Sequence, residues 1–122
     1  MASVPAFLLK KLYVKGSLKN TPEGFQLTIQ NTLAPATIVG LVPLQVDGVD
    51  HALEKTKITL PDGTQVSPSE VSADSPRRFG INDKVTIHVQ APSLTPGMHK
   101  LTISTKTKEA GLIQISTEDI VA

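Results

Sequence analysis

Alternation of apolar and polar residues dominates the chain. Leu12, Val14 and Leu18 alternate with Tyr13, Lys15, Ser17 and Lys19, a period of two that predicts a strand with one dry and one wet face, bulged at Gly16. Beyond the turn Asn20-Thr21-Pro22-Glu23-Gly24, Phe25, Leu27 and Ile29 alternate with Gln26, Thr28 and Gln30, which completes a first hairpin. The next strand covers about residues 37–46 and ends at Asp47-Gly48, two residues that tolerate the positive φ of a type I′ hairpin turn. Residues 49–53 return from it. Ile58-Thr59-Leu60 and Gln65-Val66 flank Pro61-Asp62-Gly63-Thr64, a second turn of the same chemistry.

Residues 67–83 show no sustained periodicity and predict a long connection between sheets, with one helical turn at Ser69-Glu70-Val71. Val85, Ile87 and Val89 resume the alternation, Pro96-Gly97 marks a tight turn, Leu101 and Ile103 alternate with Thr102 and Ser104, and Ile113 with Ile115 form the last strand. About seven to nine short strands, punctuated by Gly and Pro and without a long helical pattern, predict an all-β fold: a two-sheet β-sandwich in an immunoglobulin-like arrangement. The whole of residues 1–122 reads as a single domain, with residues 1–11 an N-terminal segment forming a short helix or arm. The tryptophan and cysteines of antibody domains are missing, so the expectation concerns architecture.

The central strand is apolar on both faces. Ile38, Val42, Leu44 and Val46 share one parity and Val39, Leu41 and Pro43 the other, and no charge occurs in residues 32–45. A strand apolar on both sides has to be covered on both sides. Loops or the N-terminal segment of the same chain could do this, and a subunit interface at Val39, Leu41 and Pro43 competes with them. The interface reading predicts a homo-oligomer or a larger partner subunit.

Composition narrows the function classes. A 122-residue, 13.0 kDa chain can bury roughly two-thirds of its unfolded surface and needs no staple. The lack of cysteine excludes disulfides, thiolate zinc sites and a cysteine nucleophile, and the simplest home is a reducing cytoplasm. Twelve Lys and Arg against eleven Asp and Glu give a net charge of +1, without the basic field that nucleic acid or an anionic membrane requires. Phe7, Leu8 and Leu9 precede Lys10 and Lys11, the reverse of a signal peptide's order, so the N-terminus reads as mature sequence. No apolar stretch approaches the ~20 residues of a spanning helix.

No catalytic constellation emerges. The glycines never fall at dinucleotide or phosphate-loop spacing, and no Gly-x-Ser-x-Gly elbow is present. His88 between Ile87 and Val89 reads as a solvated strand residue. His99, with the parity of Leu101 and Ile103, reads as a packed, hydrogen-bonded histidine, and the run Asp47-Gly48-Val49-Asp50-His51 reads as turn chemistry more than as a metal site. Glu118 and Asp119 read as a solvated pair in a C-terminal tail, and Arg77-Arg78 as a surface dipeptide. The expectation is no catalytic residue, no cofactor and no metal. With few aromatics and no tryptophan, stacking platforms for sugars or single strands are lacking.

Four segments carry a family resemblance: Gly24-Phe25-Gln26-Leu27, the apolar strand into Val46-Asp47-Gly48, Val85-Thr86-Ile87-His88-Val89, and Leu94-Thr95-Pro96-Gly97-Met98-His99-Lys100-Leu101. Over about residues 14–105 the chain resembles the small β-subunit of bacterial C-glycoside deglycosidases. That resemblance implies a sandwich that assembles with a larger metal-dependent barrel subunit holding the catalytic residues. The chain departs from the family at Thr32-Leu33-Ala34-Pro35-Ala36, where aromatic and arginine residues are usual. Two functions follow. The first is a non-catalytic structural or interaction module, self-associating or an accessory subunit of a larger enzyme. The second is a component of a C-glycoside deglycosidase-like sugar-processing enzyme, with a site completed at a subunit interface by His99 or His51.

Overall fold

The computed structural model describes residues 5–121, and within them the alternation resolves into two antiparallel sheets packed face to face. The strands are β1 (Lys19–Thr21), β2 (Gly24–Gln30), β3 (Ala36–Leu41), β4 (Leu44–Val46), β5 (Val49–His51), β6 (Thr56–Thr59), β7 (Gln65–Val66), β8 (Arg77–Phe79), β9 (Lys84–Gln90), β10 (Gly97–Thr107) and β11 (Gly111–Val121). Sheet one has the order β1-β2-β9-β6-β7. In sheet two the long β10 pairs with β11 on one side and with β3 and β4 on the other, β8 lying beyond β3 and β5 beyond β4. The expected all-β two-sheet sandwich is therefore the observed one, with eleven strands where about seven to nine were read.

Burial follows parity. Phe25, Leu27 and Ile29 of β2 and Val85, Ile87 and Val89 of β9 face Leu44, Val46, Leu101, Ile103 and Ile115 of sheet two, and Phe25, Leu27, Leu101 and Ile115 are fully enclosed. Side chains of opposite parity, among them Gln26, Thr86 and Lys57, lie outside that core. The helical turn α1 (Ala6–Leu9) and a 3-10 turn at Lys10–Leu12 pack against β11, with Leu9 and Leu12 joining the core. Within the N-terminal segment of residues 1–11, the helical turn covers residues 6–9, and residues 1–4 lie outside the described ones.

Several elements differ from the pattern reading. The strand expected over residues 12–18 is a 3-10 end, one isolated bridge between Tyr13 and Ile29, and a turn in which Gly16 takes φ +86°. Strand pairing starts only at Lys19. Inside the connection of residues 67–83, Pro68–Glu70 forms a 3-10 turn whose Glu70 carboxylate accepts the Ser67 N–H at 2.6 Å, and Arg77–Phe79 pairs with β3 as β8. The tail expected after Ile115 does not exist, because β11 continues to Val121 in unbroken register with β10.

Both turn glycines have positive φ, 82° at Gly48 and 89° at Gly63, but the turns differ. Asp47 shares the positive φ (54°), which gives the type I′ turn. Pro61 cannot, since its ring fixes φ near −65°. There the Gly63 N–H instead closes onto the Leu60 carbonyl at 2.9 Å and Leu60 N–H onto Thr64, placing the left-handed residue one position later. Gly24 serves another need: a Cβ would run into the Val89 carbonyl and the Ala91 amide where β2 meets β9.

Parity also fails in the two-faced strand. Lys106 opposes Gly40 while Thr107 opposes Ile38, so Val39 is an extra, bulged residue. Ile38 and Leu41, three apart, therefore both face inward, and Leu41 packs against the core. The outward face shared by Val39 and Leu41 in the sequence reading is corrected by this insertion: Leu41 points into the sandwich.

Candidate functional site

Sheet two carries most of the polar residues that sequence reasoning singled out, and two carboxylates there each organise a local network. Asp47 sits at the β4–β5 turn, beside β10. Its Oδ2 meets His99 Nδ1 at 2.6 Å, its Oδ1 accepts the Lys100 N–H at 2.9 Å, and His99 Nε2 lies 2.7 Å from the Thr95 carbonyl. Both ring nitrogens face acceptors, so the imidazolium is the form that satisfies the site. The Thr95 carbonyl, then the Asp47 carboxylate, raise the His99 pKa above its ordinary value. The His99 bond and the Lys100 amide in turn lower that of Asp47. A histidine so occupied has no free nitrogen for a substrate or a metal.

The second carboxylate was missed. Asp119, read as solvated tail, is 5% exposed. Its Oδ2 accepts the Tyr13 hydroxyl and the N–H groups of Gly16 (2.9 Å) and Leu18 (3.4 Å), and its Oδ1 accepts the Ile120 N–H at 2.8 Å. Burial alone would raise its pKa, but these hydrogen bonds prevail and lower it. Burial and the Asp119 bond push the Tyr13 phenol well above its ordinary range. The signal was present in the sequence: Asp119 continues the inward parity of Ile113 and Ile115. Glu118, of opposite parity, is exposed as expected.

The remaining candidates are dispersed. His51 is half-buried with its ring edge-on to Phe25, centroids 5.1 Å apart, while Asp50 accepts Gln45 Nε2 at 2.7 Å. His88 Nε2 lies 2.9 Å from Thr59 Oγ1, half-buried where a solvated residue was read. Arg77 Nη1 donates to Ser75 Oγ at 2.9 Å. Asn31, which the sequence reading passed over, donates to the Ala34 and Phe79 carbonyls at 2.7 and 2.8 Å. Val39, Leu41 and Pro43 are all half-buried. Among the described residues no three His, Cys, Asp or Glu side chains converge as a metal site would require.

Several clefts are present among the described residues, and two of them contrast in character. An apolar gap of about 50 Å³ lies between the sheets beside Leu41, Val42, Leu53, Ile58 and Val71, with Arg77 at its border. This is room for a few water-sized groups. A polar groove of about 410 Å³ crosses the outer face of sheet one between Gln26, Glu54, Lys57 and His88. His51 and His99 line neither.

The sequence matches the family model of the hydroxymethylglutaryl-CoA reductase N-terminal domain over residues 8–122. The chain belongs to this family. No curated protein matches it. Membership overturns the C-glycoside deglycosidase resemblance. The segments behind that resemblance are the alternation of β2 and β9, the Asp47-Gly48 hairpin and the loop entering β10, features that many sandwiches need for the same backbone reasons. The family is that of an N-terminal domain of a larger enzyme. Among the described residues no helix is long and apolar enough to cross a membrane.

Proposed function

We propose that this chain is a non-catalytic structural domain of a hydroxymethylglutaryl-CoA reductase, supporting the part of the enzyme that carries the chemistry. The observation that carries the reading is the family match across residues 8–122. The site chemistry supports it: His99, Asp47, Tyr13 and Asp119 are spent on holding turns and strands together. The contact with the remainder of the enzyme lies at the kink between β3 and β4. Val39 and Pro43 stand there half-buried in a run without charge, and Pro43 lies on the outer face beside Gln45, Thr102 and Gln114.

The experiment mixes the purified chain with the remaining polypeptide of the reductase from the same source, follows binding by calorimetry, and assays reduction of hydroxymethylglutaryl-CoA. Binding is expected, with no turnover by the chain alone. Val39→Lys should weaken binding at least tenfold without moving the melting temperature. Turnover by the isolated chain would refute the non-catalytic role, and absence of both binding and any effect on activity would refute the supporting one.

A further inference from the structure

Four of the sheet borders are short or charged. β1 has three residues and includes Lys19, β5 and β8 have three each with Arg77 and Arg78 on β8, and β7 has two. The fifth is different. β11 runs eleven residues without Lys, Arg, Pro or a bulge, pairs with β10 along its full length, and has no strand on its other side among the described residues. Its charges are two acids, Glu118 on the exposed face and Asp119 turned inward onto residues 13–18, and so long and regular an edge is still a template for another strand. In antiparallel pairing, alternate residues turn their backbone groups to opposite neighbours. Lys100 directs its carbonyl and N–H to Asp47 on the β4 side, so the odd residues of β10 bond the odd residues of β11. The even residues, Leu112, Gln114, Ser116, Glu118 and Ile120, therefore direct N–H and carbonyl groups to the free edge. The Ile120 N–H agrees, since it reaches its own Asp119 carboxylate instead of β10.

These same even residues carry exposed side chains, with Leu112 61% and Ile120 59% exposed. Their order is self-complementary. A two-fold axis at Ser116 is the antiparallel register that pairs all of β11 with a second β11: Leu112 faces Ile120 of the second copy, Gln114 faces Glu118, and Ser116 faces itself. Each exposed aliphatic meets another, and the carboxylate meets an amide donor instead of a second carboxylate. Met98, 61% exposed and opposite Ile120 on β10, extends the apolar contact at both ends. An isologous interface needs a patch that matches itself in this way.

We propose that the free edge of β11 is an interaction surface for a second copy of this chain, joining the two copies of sheet two into one continuous antiparallel sheet. This goes beyond the supporting role above, whose surface on the β3–β4 side of β10 adjoins it at Gln114.

The test uses the cysteine-free chain itself. Sedimentation equilibrium should give twice the 13.0 kDa chain mass. Residues facing each other in a hydrogen-bonded antiparallel pair have Cα atoms about 5.5 Å apart, within disulfide range. Under mild oxidation the Ser116→Cys variant should form a covalent dimer. Gln114→Cys and Glu118→Cys, each displaced from its own copy by roughly 13 Å of strand, should form at least tenfold less when oxidised singly, and should cross-link when mixed. Ser116→Pro removes an N–H from the free edge only and should yield folded monomers. If that variant fails to fold, the cysteine pattern decides alone. A monomeric parent, as expected if another segment or the rest of the enzyme covers the edge, or cross-linking of Gln114→Cys as readily as Ser116→Cys, would overturn the proposal.

Discussion

Asp119 and Asp47 do the same mechanical job in very different surroundings. Each pulls an irregular segment onto sheet two, residues 13–18 in one case and the β4–β5 turn in the other, by accepting hydrogen bonds from a side chain and from backbone amides. Asp119 is 5% exposed, whereas the side chain of Asp47 is 49% exposed. When the buried acid is lost, Tyr13 and the Leu18 amide are left without a partner away from water, and each unmet donor costs its desolvation. When the exposed acid is lost, water takes its place. The lesson is that similar bond lengths hold the fold with unequal strength, and burial sets the difference.

The comparison breaks most visibly at Asp119→Ala, which should destabilise by about 3 kcal/mol in urea unfolding. A loss below about 1 kcal/mol would mean that water reaches the pocket. Tyr13→Phe should cost about 2 kcal/mol, the value of a hydrogen bond to a charged acceptor, and its circular dichroism should remain that of the folded protein. Gly48→Val, which forces a β-branched residue to φ 82° in the turn that carries Asp47, should cost about 1 kcal/mol in a thermal melt.

Asp47→Asn should cost the least, less than about 1 kcal/mol, and should be pH-dependent. The folded pKa of His99 is raised, so its contribution is full below the ordinary imidazole value and is lost as pH rises through the folded one. The folded pKa of Asp47 is lowered, so its contribution is full above the ordinary carboxylate value and is lost as pH falls. The pair is therefore complete between about pH 4 and 6.5. The gap in melting temperature between parent and Asp47→Asn should peak in that window and narrow toward pH 9. A gap constant over the range would show that His99 is not the partner that matters.

The regular part of this architecture was legible because β2, β9 and β10 each bury alternate residues, so parity in sequence is parity in space. Asp47-Gly48 was legible because few residues accept positive φ. What escaped reading was polar or out of phase. Thr117 and Asp119 occupy inward positions of β11 that aliphatics fill elsewhere, so the strand looked finished at Ile115. The bulge at Val39 inserts one residue and put Leu41 on the wrong face, while the break at residues 42–43 restores the inward parity of Leu44 and Val46. β8, three residues long, is too short to show a period. The alternation of residues 12–18 imitated a strand, although Gly16 turns the chain there. No catalytic set was readable, and the candidate site is mostly internal bonding that depends on residues far apart in the chain.

That distance has a consequence for how the molecule assembles itself. Tyr13 and Asp119 are 106 positions apart, so the lock on the N-terminal segment joins residues far apart in the chain. Closing so long a loop is entropically costly until the intervening sheets have already brought its ends together. On a ribosome the segment around Tyr13 emerges 106 residues before its acceptor. Residues 13–18 can therefore dock on β2 early, through the Val14 N–H and the Ser17 hydroxyl, and are fastened to sheet two only once β11 is made.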